Sequence, residues 1–96
     1  MSTRFEWDEA KNRANRAKHG ISFEEASAVF EGPVLTASDD REGYGEERSI
    51  SYGRLGGLVV VVVAHTDRGE RIRLISARKA NRKETRAYYE HLKEAT

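Results

Sequence analysis

Leu58-Val59-Val60-Val61-Val62-Val63-Ala64 is apolar at every position, with five consecutive valines. Branched side chains favour extended backbone, and a run without polar alternation predicts a central strand covered on both faces. Its seven residues fall far short of the roughly 20 that a helix needs to cross a bilayer. The neighbouring segments read as strands too. Arg48-Ser49-Ile50-Ser51-Tyr52 alternates with period two, which predicts Ile50 and Tyr52 facing the core. Gly53, Gly56 and Gly57 bracket a hairpin into the valines. Thr66-Asp67-Arg68-Gly69 makes a second turn, with Gly69 where a positive φ is wanted. From Glu70 to Ala77 a last strand is expected, with Ile72, Leu74 and Ser76 on one face and Arg71, Arg73, Ile75 and Ala77 on the other.

Before the sheet, Phe5 and Trp7 alternate with Arg4 and Glu6 in a short strand that ends at Asp8. Asp8 is placed to cap a helix whose Ala10, Ala14 and Ala17 recur as a narrow stripe, and Gly20 is placed to end it. Ser22-Phe23-Glu24-Glu25 is a capping box for a second helix with Phe23, Ala26, Val29 and Phe30 as its apolar face. Gly32-Pro33 stops that helix, and Val34-Leu35-Thr36-Ala37 is expected to form a short strand. Asp39 to Glu47 is polar, holds Gly43 and Gly45, and reads as a loop. Asn81 and Glu84 open a terminal helix with Ala80, Ala87, Tyr88, Leu92 and Ala95 as its apolar residues. The expected fold is α+β, a single domain over residues 1–96. It comprises a short N-terminal strand, two helices, an antiparallel four-stranded meander and a C-terminal helix, with the helices on one face of the sheet.

Composition narrows the function classes. The 96 residues carry 17 Lys+Arg and 16 Asp+Glu, a formal net charge of +1. There is no cysteine, which excludes disulfides, thiolate nucleophiles and Cys-based zinc sites. The N-terminus lacks an apolar signal-peptide core, so a cytoplasmic protein with no membrane contact is expected. The charges are unevenly placed. Residues 21–47 hold eight acids against the single base Arg41, whereas residues 71–96 hold eight bases against three acids. Two surfaces of opposite sign follow, serving either a partner or each other. His19, His65 and His91 have no metal-finger spacing, Asp39-Asp40 reads as a solvated loop, and the glycines at 53, 56 and 57 lack the Lys-Ser/Thr of a phosphate loop. No metal and no cofactor are expected.

Three stretches resemble the BrnT family of bacterial type II toxins. The first runs from Phe5-Glu6-Trp7-Asp8 through Lys11, Asn15 and Lys18-His19-Gly20 to Ser22-Phe23-Glu24-Glu25-Ala26. The second is Gly45-Glu46-Glu47-Arg48, followed by Leu58 and the valines. The third is His65-Thr66 with Arg68-Gly69, then Ile72 to Ala80, Glu84 and Tyr88. The resemblance implies a RelE-like ribonuclease toxin that cleaves RNA, inhibits translation and is neutralised by a BrnA-type antitoxin in a hetero-oligomer. It further implies that operator DNA is met only indirectly, through the antitoxin.

Metal-free RNA cleavage needs a base for the 2′-OH, an acid for the leaving oxygen, and cations for the phosphorus-centred charge. Under the resemblance, Arg73 and Arg78 become phosphate clamps, with His65 and Glu47 as proton-transfer candidates. Lys18, His19, Arg48, Arg68 and Lys79 become RNA contacts. Each has a structural counterpart. Arg73 would pair with a carboxylate such as Glu47, His65 would bond to backbone, and His19 with Lys18 would complement a helix dipole. Tyr88 and Trp7 read as packing residues. Two other functions compete with the nuclease: a non-catalytic nucleic-acid-binding module, which retains RNA without cutting it, and a protein-interaction subunit, which binds neither RNA nor DNA.

Overall fold

The computed structural model describes residues 4–39, 48–57 and 59–94. Strand β1 (Arg4–Glu6) leads into helices α1 (Glu9–His19) and α2 (Phe23–Ser27), the latter continued by a 3-10 turn over Ala28–Glu31. Strands β2 (Val34–Asp39), β3 (Arg48–Leu55), β4 (Val59–Arg68) and β5 (Arg71–Lys79) follow, then helix α3 (Arg82–Glu94). The five strands form one mixed sheet in the order β1-β5-β4-β3-β2. Strands β2 to β5 pair antiparallel, each with the next, whereas β1 joins β5 in parallel through Phe5 and Ile72. No helix among the described residues is long and apolar enough to cross a membrane.

The local signals act as their chemistry demands. The Asp8 carboxylate accepts from the N–H groups of Ala10 and Lys11, and Gly20 ends α1 at φ 74°. Ser22 and Glu25 exchange both capping-box hydrogen bonds. The valine strand is buried on both sides, with Val60, Val61, Val62 and Val63 no more than 5% exposed. Val61 and Val63 join Ile21, Phe23, Ala26, Val29, Leu74 and Ala77 in the main core. Gly53 admits this packing, because a Cβ there would lie 2.8 Å from the Cβ of Val29.

Three expectations need correction. The helices do not share one face. Helices α1 and α2 cover the face of Val61 and Ala77, while α3 meets the opposite face, where Glu84 pairs with Arg78 and Tyr88 donates to the Pro33 carbonyl at 2.7 Å. The alanine stripe of α1 is exposed, and the helix buries Asn12 and Asn15 instead. Ser51 and Gly53, rather than Ile50 and Tyr52, face the main core, because Ser51 bonds to a buried histidine there and Ile50 and Tyr52 take the other side of the strand.

Asn12 and Asn15 replace packing with hydrogen bonds. Asn12 donates to Glu24 and accepts from the Phe23 N–H, which locks α1 to α2. Asn15 accepts from the Ala77 N–H at 3.1 Å and donates to the carbonyls of Ala77 and Ile21 at 2.8 and 2.9 Å. Strand β1 pairs only with residues 71–73 of β5. Further along, at Ala77, the Asn15 amide bonds the backbone as a neighbouring strand would.

Candidate functional site

One irregularity sets which side chains share a face. Pairing of β4 with β5 passes from Ala64 opposite Ser76 to His65 opposite Leu74, so Ile75 is an extra residue on β5. A bulge of this kind reverses the inside-outside alternation beyond it. Ala77 before the bulge and Leu74 after it both enter the main core. Arg78 and Arg73 therefore both emerge on the opposite face, which corrects the expected grouping of Arg73 with Ala77. Arg71 follows the same parity, and so do Arg68 and Arg48 on the neighbouring strands. On β4 the partners of Arg73 and Arg78 are Thr66 and Val62. Those positions are roughly 13 Å apart at the usual rise per residue, far enough for each arginine to serve its own phosphate.

Among the described residues the carboxylate that Arg73 pairs with is Glu6. Its guanidinium donates to one Glu6 oxygen at 3.2 Å, and Arg71 donates to the other at 3.4 Å. The Arg73 hydrogen bond, aided by Arg71, holds the Glu6 carboxyl below the usual carboxylate range against the desolvation that pushes it up. The side chains of Arg73 and Arg71 stay 36% and 59% exposed, so both retain access to a further anion. Sequence reading missed Glu6. Its only local signal is a polar position between Phe5 and Trp7, and the contact joins residues 67 apart in sequence.

Arg78 is held more tightly. Both of its terminal nitrogens donate to Glu84, each at 2.8 Å, in the two-pronged geometry that guanidinium and carboxylate share. Glu84 also accepts from the Asn81 N–H and donates its own N–H to the Asn81 side chain. The Arg78 hydrogen bond carries the Glu84 carboxyl down to about 2, and Glu84 in turn raises Arg78. A carboxyl lowered on folding adds stability that is complete above its ordinary value and fades as pH falls through the folded value. The Glu84 side-chain resonance is therefore expected to titrate near pH 2 by carboxyl-detected NMR, and a midpoint near the ordinary 4.5 would disprove the pairing. The pair is part-exposed, so its worth is about 1 kcal/mol or less.

His65 lies on the α1–α2 side of the sheet. It is 1% exposed, its Nδ1 is 2.9 Å from Asp67, its Nε2 is 2.8 Å from the Ser51 hydroxyl, and Phe30 meets the ring edge-on. An ionised carboxylate only accepts, so Nδ1 is the donor in the contact with Asp67. The Ser51 and Thr36 hydroxyls share a further hydrogen bond at 2.7 Å. The order hydroxyl, imidazole, carboxylate is that of a nucleophilic triad. Ser51 is nevertheless 0% exposed, which leaves no space for a substrate at its oxygen. The chain of bonds ties β2, β3 and β4 together, and the partners of His65 are side chains, not backbone.

The other sequence candidates fall elsewhere. Lys18 and His19 close α1, with Lys18 exposed and His19 half-buried. Lys79 follows Arg78, so its side chain returns to the α1–α2 side of the sheet, where it is exposed. Glu47 and the rest of 40–47 lie outside the described residues. Among the described residues no three His, Asp or Glu side chains gather as metal ligands. The structure thus brings Arg48, Arg68, Arg73 and Arg78 to one face and separates them from His65, Lys18, His19 and Lys79.

The family model described as ribonuclease toxin, BrnT, of type II toxin-antitoxin system matches residues 7–84. The crystal structure of the Brucella abortus ribonuclease toxin BrnT is similar, with a TM-score of 0.62 and 25% sequence identity over 84% of this chain and 100% of that chain. No curated protein matches by sequence.

Proposed function

Since the chain belongs to the BrnT family of ribonuclease toxins of type II toxin-antitoxin systems, with an antitoxin as its implied partner, we propose that it is a metal-independent endoribonuclease whose arginine face holds the RNA backbone. The observation carrying this reading is the bulge at Ile75, which gathers Arg71, Arg73 and Arg78 beside Arg68 and Arg48. Guanidinium groups suit phosphate because their planar fork meets two oxygens at once. Arg73 is the central clamp, steadying the charge that builds on phosphorus as the ribose 2′-oxygen attacks. The P–O5′ bond breaks, which leaves a 2′,3′-cyclic phosphate and a 5′-oxygen that takes its proton from water. Arg78, Arg48 and Arg68 hold the flanking phosphates.

Glu6 takes the part of the base. Its two oxygens each receive one hydrogen bond, which leaves lone pairs for a 2′-OH. A phosphate that draws Arg73 and Arg71 away also removes what depresses the Glu6 carboxyl, so substrate binding raises its proton affinity. Glu47 precedes Arg48 in the sequence and is the second candidate carboxylate. His65 acts as a positioning residue that fixes β3 against β4, and Lys18, His19 and Lys79 form a separate basic area for RNA beyond the reacting phosphate. In the cytoplasm the enzyme, RelE-like in fold, cuts RNA, lowers translation and is neutralised by a BrnA-type antitoxin. The complex reaches operator DNA through the antitoxin alone.

The deciding experiment incubates purified protein with an RNA, with the same sequence as DNA, and with the RNA plus EDTA. Cleavage of both RNA samples and of no DNA is expected, because the attacking group is the 2′-OH. RNA bound without strand loss would make the protein a non-catalytic binder. Cleavage lost in EDTA and restored by Mg²⁺ would overturn the metal-free chemistry.

A further inference from the structure

A groove runs between α3 and the β2–β3 side of the sheet, next to the arginine row. Leu35, Tyr52 and Ala87 form its walls, and Asn81, Lys83 and Glu84 its polar margin. Its volume is about 390 Å³, inside the range of roughly 300–1,000 Å³ typical of small-ligand sites. Leu35 pairs with Tyr52, and Tyr52 and Arg78 flank Val62 on either side. Two strand spacings put Tyr52 roughly 10 Å from Arg78 on the same face.

Shape and charge together choose the occupant. The walls are apolar and include one aromatic ring, which suits the flat face of an uncharged heterocycle. Lys83 lines the groove, and the Glu84 carboxylate at its margin is already neutralised by Arg78 beyond it, which suits a heterocycle carried on a phosphate chain. A basic peptide would meet those cations unfavourably. We propose that this groove receives a nucleobase of a single-stranded RNA whose phosphates lie along Arg78 and Arg73; the inference rests on the RNA reading above. Asn81 uses its side-chain oxygen to accept from the Glu84 N–H, which leaves its amide N–H groups to donate to a base edge. The groove would then read bases, while the arginines hold backbone without regard to sequence.

Fluorescence anisotropy with the full chain tests this. The probes are a short labelled 2′-O-methyl oligoribonucleotide, which cannot be cut, and an abasic strand of equal phosphate number. The base-bearing strand is expected to bind about tenfold tighter to the unaltered protein, a difference typical of one stacked base. Ala87→Leu adds bulk to the groove from an exposed helical position that favours leucine, so the fold is retained. The ratio is expected to fall to about one in Ala87→Leu and to stay near tenfold in Ala87→Ser. A tenfold ratio that persists in Ala87→Leu, or equal binding of both strands by the unaltered protein, overturns the base site and leaves the arginine face standing. Binding of neither strand overturns the RNA reading itself.

Discussion

Arg73→Ala is expected to lower RNA cleavage by about 10²–10³-fold, the usual cost of losing a donor aimed at transition-state charge. Growth arrest on induction should disappear with it. The fold should survive, because Arg73 is 36% exposed and its bond to Glu6 is a part-exposed ion pair of little worth to stability. Circular dichroism and a cleavage assay on the same preparation separate the two effects. Arg73→Lys keeps the charge but loses the fork, so it should recover only part of the rate. Arg78→Ala is a poorer probe, since it also frees Glu84 and loosens the start of α3. Cleavage at the unaltered rate by soluble Arg73→Ala protein would remove this residue from the mechanism.

Asn15→Ala should be the most damaging change to stability, at about 3 kcal/mol. Alanine has the higher helix propensity, and on the exposed face of α1 the swap would be harmless. At this position it strips partners from the Ala77 N–H and the carbonyls of Ala77 and Ile21, in a region where Ala77 is 0% and Ile21 3% exposed. Each buried polar group left unsatisfied costs about 1–3 kcal/mol. Set against a typical total of about 5–15 kcal/mol, that is a large share. Urea unfolding gives the number, and a midpoint unchanged within error would show that water replaces the amide. Asn15→Asp should do no better, because it keeps the acceptor but loses the donor and adds a buried charge.

These two residues mark the boundary of what the sequence discloses. Local chemistry was legible: Asp8, Ser22 with Glu25, and Asn81 with Glu84 all cap where their side chains predict, and Gly69 takes φ 62° at the β4–β5 turn. The valine run is the central strand. What failed depended on distant partners. Ala10, Ala14 and Ala17 matched a packing stripe, yet two asparagines fix that helix through backbone groups on other elements. The face of Arg73 could not be read because period-two counting presumes no extra residue in the strand. Its carboxylate partner lies at the far end of the chain on a parallel edge strand, which no local pattern encodes. His65 was expected at a strand end beside a turn, but β4 runs on to Arg68, and the burial of the ring against Phe30 follows from tertiary packing.

Ile75 has an unusual bearing on how such a protein is disarmed. Loss of that single codon would leave every cation in the gene and remove only an apolar side chain. The remaining half of the strand would then exchange inner for outer, turning Arg71 and Arg73 towards the oily interior and Ile72 and Leu74 towards water. If the arginine face grips RNA as proposed, a lineage could silence this polypeptide without altering any of those guanidinium groups, and an inventory of intact arginines would not reveal it.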